Sequence, residues 1–157
     1  MRTSQPKESA PMTVLMVDDN KALAEFTRKN ILARCPEWNC ITANTVAEAK
    51  NVVKHSPPAI ALIDLHLSSD SGLDFLRSLH QIVPPVKGIL VSATVSDELR
   101  EQVKKYGGYG VMEKPFDVGE LLILINRALS DMGHEESKEK TNYEKNNYEK
   151  NMYSAEN

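Results

Sequence analysis

Residues 13–19 read TVLMVDD and residues 59–64 read AIALID. Each is a short apolar run that ends in acid. A strand with one wet face alternates apolar and polar residues, whereas an unbroken run fits a strand covered on both faces. Three further runs of this kind follow the same pattern: Asn39 to Ala43, Val86 to Val91 ending at Ser92, and Tyr109 to Met112 ahead of Glu113-Lys114-Pro115. Between them apolar residues recur at helical spacing. Leu23, Phe26 and Ile31 mark the first helix. Thr45 and Glu48 form a capping-box pair that opens a second, with Val46, Ala49 and Val53 on one face. Pro57-Pro58 stops it. Leu73, Leu76 and Leu79 form the third stripe, after Gly72. Pro84-Pro85 breaks the chain again before the fourth strand. Leu99, Val103 and Tyr106 form the fourth stripe, closed by Gly107-Gly108. Asp117 and Glu120 cap a last helix carrying Leu121, Leu122, Ile125 and Leu129.

Five strand–helix units in strict alternation predict an α/β fold: a doubly wound, five-stranded parallel sheet with helices on both faces. The chain divides into a polar arm (1–11), the domain that carries the periodicity (12–131), and a polar, low-complexity tail or linker (132–157). In the tail, Asn142-Tyr143-Glu144-Lys145-Asn146 is repeated at 147–151, a period of five that fits neither helix nor strand. A solvated tail is the expectation.

Composition narrows the function classes. At 157 residues with 41% hydrophobic and 26% charged residues, the chain is long and apolar enough for one core without disulfide staples. Cys35 and Cys40 make no disulfide framework and read as packing residues. No apolar run is long enough to span a membrane, and the polar N-terminus lacks the apolar stretch of a signal peptide. A cytoplasmic protein with reduced thiols is expected. A net charge of −3 without a basic stripe predicts no direct contact with nucleic acid.

In doubly wound sheets ligands bind at the carboxyl ends of the strands, where the strand order reverses. Those ends carry Asp18-Asp19, Asp64, Ser92 and Lys114. Three clustered carboxylates repel one another, and a hard divalent cation on oxygen ligands relieves that; Mg²⁺ suits it. With Lys114 offsetting further charge and Ser92 supplying a hydroxyl, the group is equipped to receive a phosphoryl group on a carboxylate.

VLMVDDN (14–20), ALIDLHLSSDSGLDFL (61–76), ILVSAT (89–94) and MEKPF (112–116) together resemble the receiver domain of two-component response regulators, the CheY-like family. The resemblance covers residues 12–131. It implies a flavodoxin-like (βα)5 sheet in the order 2-1-3-4-5. It implies that Asp18 and Asp19 hold Mg²⁺, or Mn²⁺ in its place, that Asp64 is both phosphoacceptor and metal ligand, and that His66 lends its backbone carbonyl. Ser92 and Lys114 then bind phosphoryl oxygens, and Lys114-Pro115 is cis. The implied donor is a phosphohistidine on a sensor histidine kinase or a histidine phosphotransfer protein. The implied output runs through the fourth helix, fifth strand and last helix (95–131) to a downstream protein target, with a homodimer through that face as a further implication. Such a domain assists its own phosphorylation and hydrolysis but is a switch rather than an enzyme.

Three positions depart from the family pattern. Leu67-Ser68 stands where Met-Pro is frequent, which predicts a looser loop after Asp64. Val111 occupies the position where an aromatic commonly swings inward with the Ser/Thr; Tyr109, two residues earlier, should by strand alternation share its face. His66 reads as a solvent-facing loop residue; the sharper alternative is that, with Thr94, it tunes access of the hydrolytic water. Two rival readings are an unphosphorylated pseudo-receiver and a metal-dependent phosphatase. The first should lack a key residue, and the second usually places an acid where His66 stands. A flavodoxin-like nucleotide binder lacks support, because no Gly-rich phosphate loop follows the first strand. If 157 residues is the natural length, the chain is a stand-alone receiver; otherwise the tail is a linker to an output domain.

Overall fold

Each apolar run becomes a strand in the computed structural model, which describes residues 10–133. The order is β1 (Thr13–Val17), α1 (Lys21–Arg34), β2 (Asn39–Ala43), α2 (Val46–His55), β3 (Ile60–Asp64), α3 (Gly72–Ile82), β4 (Lys87–Ser92), α4 (Asp97–Lys105), β5 (Gly110–Glu113) and α5 (residues 118–133). All neighbouring strands pair in parallel, in the order β2-β1-β3-β4-β5. The doubly wound sheet expected from the strand–helix alternation is therefore present. The tail repeat, with Tyr143, Tyr148 and Tyr153, lies outside the described residues. Among the described residues no helix is long and apolar enough to cross a membrane.

Two apolar layers hold the sheet. Leu15, Val17, Ala61, Ile63 and Leu90 face α2, α3 and α4 through Val46, Ala49, Val53, Phe75, Leu76, Leu79, Leu99 and Val103. Val14, Met16, Ile60, Leu62 and Ile89 face α1 and α5 through Ala24, Ile31, Leu121, Leu122, Ile125 and Ala128. Odd and even positions of β1 thus go to opposite layers, as strand alternation requires. Full burial of each Leu or Ile contributes roughly 1.5–3 kcal/mol. Cys35 and Cys40 are free thiols in the α1/α5 layer, and burial pushes Cys40 up to about 11.

Several local expectations need correction. Phe26 does not face the core; it is 63% exposed, and α1 lies down on Ala24, Thr27 and Ile31. Small residues at 24 and 27 bring the helix close to the sheet, and Thr27 satisfies its hydroxyl on the Leu23 carbonyl at 2.9 Å. Tyr109 does not share a face with Val111. It precedes β5, outside the ladder, and packs in the α1/α5 layer with its hydroxyl on Asp131 at 2.6 Å; Val111 packs in the other layer. Asp64 lies inside β3 and Ser92 inside β4, and the last strand runs one residue later than the apolar run suggests.

The capping reads well. Thr45 accepts the Glu48 amide at 3.1 Å, while the Glu48 carboxylate accepts the Asn44 amide at 2.8 Å. Gly107 ends α4 with a φ of 83°, in the left-handed region that favours glycine.

Candidate phosphoryl-acceptor site

The strand order reverses between β1 and β3: the chain leaves β1 for β2, then crosses back to β3 on the other side. The crevice at this switch point receives whatever follows β1 and whatever ends β3. Those are Asp18-Asp19 and Asp64. One carboxylate oxygen from each of the three lies within 4.8 Å of the others.

The three acids differ in environment. Asp64 is buried, with its side chain 11% exposed. Its Oδ2 accepts from the Lys114 ammonium at 3.2 Å and its Oδ1 from the His66 amide at 3.2 Å. Asp18 is half-buried; its Oδ1 accepts the Asn20 amide at 2.9 Å and its Oδ2 lies 3.6 Å from Lys114. Burial pushes the Asp18 carboxyl above its usual range, and the Asp64 charge adds to the rise; the Asn20 amide and Lys114 only partly oppose it. Asp19 is exposed and takes a hydrogen bond from the Ser68 hydroxyl, which holds its pKa below the usual value.

Lys114 arrives from the turn after β5, where its amide donates to the Ser92 carbonyl at 2.8 Å and the Lys114-Pro115 bond is cis. Ser92 ends β4, one residue beyond the Val91 that pairs with Asp64. It is 1% exposed, and its hydroxyl donates to the Thr94 carbonyl at 2.8 Å. Thr94 itself is exposed, as is His66. Val111, on β5, pairs with Leu90 of β4 and packs in the α2, α3 and α4 layer. The fold therefore brings Asp18, Asp19, Asp64 and Lys114 into direct contact or close approach and sets Ser92 on the adjoining strand end.

One ammonium against three carboxylates leaves net negative charge, and the donor set is oxygen only. Both features fit a Mg²⁺-type ion. A groove of about 390 Å³ opens beside Lys114, lined by Leu23, Phe26, Ala93, Pro115, Phe116 and Val118.

Two further residues shape the site. Gly72 begins α3 so close to the Asp64 backbone that an added Cβ would stand 2.0 Å from its carbonyl oxygen. Ser68 stands where the family frequently has proline. Its hydroxyl ties the loop to Asp19, while the Leu65–Gly72 hydrogen bond (3.0 Å) and a His66–Ser71 bridge close the loop's base. A glycine at a helix start is a readable hint of close approach; a serine that bonds a side chain 49 residues away leaves no local trace.

Comparison with known proteins agrees with this geometry. The family model described as "Response regulator receiver domain" matches residues 14–126. The probable transcriptional regulatory protein TcrX of Mycobacterium tuberculosis is 30% identical over 126 residues, covering 80% of this chain and 53% of its own length. The transcriptional regulatory protein DcuR of Escherichia coli is 32% identical over 113 residues, covering 67% and 45%. The chain thus spans about half the length of these curated relatives. Among solved structures, a CheY-like response regulator receiver domain protein from Methanospirillum hungatei JF-1 superposes with a TM-score of 0.72 at 26% identity, over 80% of this chain and 98% of that one. With the acidic crevice at the β1–β3 switch point and a family match over most of its length, the chain belongs to the response regulator receiver family of two-component signalling.

Proposed function

We propose that this chain is the phosphoacceptor switch of a two-component phosphorelay, with Asp64 as the residue that takes the phosphoryl group. The observation that carries the reading is the buried Asp64 carboxylate, tied to Lys114 on one oxygen and set against two further acids. Asp18, Asp19, Asp64 and the His66 carbonyl would hold Mg²⁺, or Mn²⁺ in its place. When bound, the ion supplies charge neutralisation for the carboxylates and for the phosphoryl oxygens.

The chain's own residues do the rest. A phosphohistidine on a sensor histidine kinase or phosphotransfer protein docks over the crevice, with the apolar groove from Leu23 to Val118 as its seat. An Asp64 carboxylate oxygen attacks phosphorus in line. The new oxygen–phosphorus bond forms as the nitrogen–phosphorus bond breaks, and the electron pair returns to the donor imidazole. The Lys114 ammonium moves from carboxylate to phosphoryl oxygen. Ser92 releases the Thr94 carbonyl and donates to another phosphoryl oxygen, drawing residues 93–96 inward. That biases a two-state equilibrium read on α4, β5 and α5 by a downstream protein or a second copy of the chain.

The switch unit is residues 12–131, acting in the cytoplasm by protein contact, with 132–157 as tail or linker. It assists its own phosphorylation and dephosphorylation but turns over no separate substrate. Val111 leaves no aromatic to follow Ser92, so the response runs through the 93–96 loop and α4. His66 and Thr94, both exposed, border the path of the hydrolytic water. His66→Asn is therefore expected to change the lifetime of the acyl phosphate, and an unchanged lifetime removes that role.

The defining test is incubation with Mg²⁺ and a small phosphodonor. A hydroxylamine-labile phosphate is expected in the wild type and not in Asp64→Asn. Turnover of a phosphomonoester without labelling would point to a phosphatase, and no labelling at all to a pseudo-receiver.

A further inference from the structure

Of the three acids, Asp19 is the most exposed and the least served by Lys114, which contacts Asp18 and Asp64 instead. What holds the Asp19 carboxylate is the Ser68 hydroxyl. Ser68 sits at the tip of the β3–α3 loop, and the loop's base is fixed on both sides. The Gly72 amide donates to the Leu65 carbonyl, and His66 pairs with Ser71. The tip hydroxyl therefore stands at a set place over the crevice, two residues past His66. A proline at this position could not make the bond, since it has no side-chain donor.

We propose that Ser68 is a positioning residue for the divalent cation: its hydroxyl orients the Asp19 carboxylate as a ligand and closes the β3–α3 loop over the crevice. The proposal rests on the phosphoacceptor reading above. A carboxylate offers about four lone-pair sites on two oxygens, so a hydroxyl on one of them leaves room for a cation. Groups that orient a metal ligand in this way typically change metal affinity about 10–100-fold when removed. Because Ser68 contributes a single hydrogen bond from an exposed loop, the lower end of that range applies.

The test is calorimetric titration of the full chain with MgCl₂, with thermal melts in the absence of metal. Ser68→Ala is expected to weaken Mg²⁺ binding about tenfold while still giving a cooperative metal-free melt, and Ser68→Thr to restore wild-type affinity. In an Asp19→Ala background Ser68→Ala should have no further effect, because the hydroxyl acts through the side chain at 19. If the wild type binds and Ser68→Ala binds equally or more tightly, the positioning role is overturned while the phosphoacceptor reading stands. Equal weakening in the Ala and Thr variants, or a full Ser68→Ala effect on top of Asp19→Ala, overturns it too. A wild type that takes up no Mg²⁺ removes the metal reading and this proposal with it.

Discussion

Asp18 sits in the crevice at a cost to the fold. Burial raises its carboxyl above the ordinary value of 3.8, so between that value and its folded pKa the native state binds more protons than the unfolded chain. The stabilisation from protonation is complete below 3.8 and is lost as pH rises through the folded pKa. Without divalent cation, melts should therefore show declining stability from Asp18 as pH rises across that window, and Asp18→Asn should flatten the decline and raise the metal-free melting midpoint by a few degrees. A steeper decline in the variant would contradict this. The chemical residues Asp18, Asp19, Asp64, Ser92 and Lys114 were legible because each sits where an apolar run stops. Ser68 was not: its partner is 49 residues away, and a serine in a polar loop is unremarkable by itself.

At the scale of elements, the β3–α3 turn is the most constrained piece. Gly72 lets α3 start against the Asp64 backbone, and a Cβ 2.0 Å from a carbonyl oxygen cannot be relieved by a side-chain rotation. Gly72→Ala should cost about 1–3 kcal/mol, read as a lower denaturant midpoint, and should slow labelling of Asp64. An unchanged midpoint would show that the turn yields freely. Thr45→Ala, which removes the α2 cap, should cost about 1 kcal/mol without affecting labelling. Strand and helix positions followed from periodicity, but two faces did not. Phe26 fits a helical stripe by residue type, yet the small pair Ala24 and Thr27 seats α1 and leaves Phe26 63% exposed, lining the groove beside Lys114. Tyr109 escaped the alternation argument because β5 begins only at Gly110.

At the scale of the molecule, the parallel sheet places the ends of β1, β3, β4 and β5 along one rim, so folding itself assembles the crevice. Cation binding should therefore stabilise the whole domain. At a Mg²⁺ concentration about 100 times the dissociation constant the gain is roughly 2.7 kcal/mol, and Asp18→Asn should lose most of the resulting rise in melting temperature. A rise that persists in Asp18→Asn would place the ion elsewhere. The alternation of strands and helices was readable from spacing, and the family and the strand order from the resemblance of four motif segments; the groove beside Lys114 was not, since Leu23, Phe26, Ala93 and Phe116 come together only in three dimensions. The most direct test of the central claim is to treat the protein with a small phosphodonor and Mg²⁺, reduce the acyl phosphate with borohydride, and sequence the peptides. Reduction at position 64 alone is the predicted result; reduction at Asp18 or Asp19, or at no residue, would contradict it.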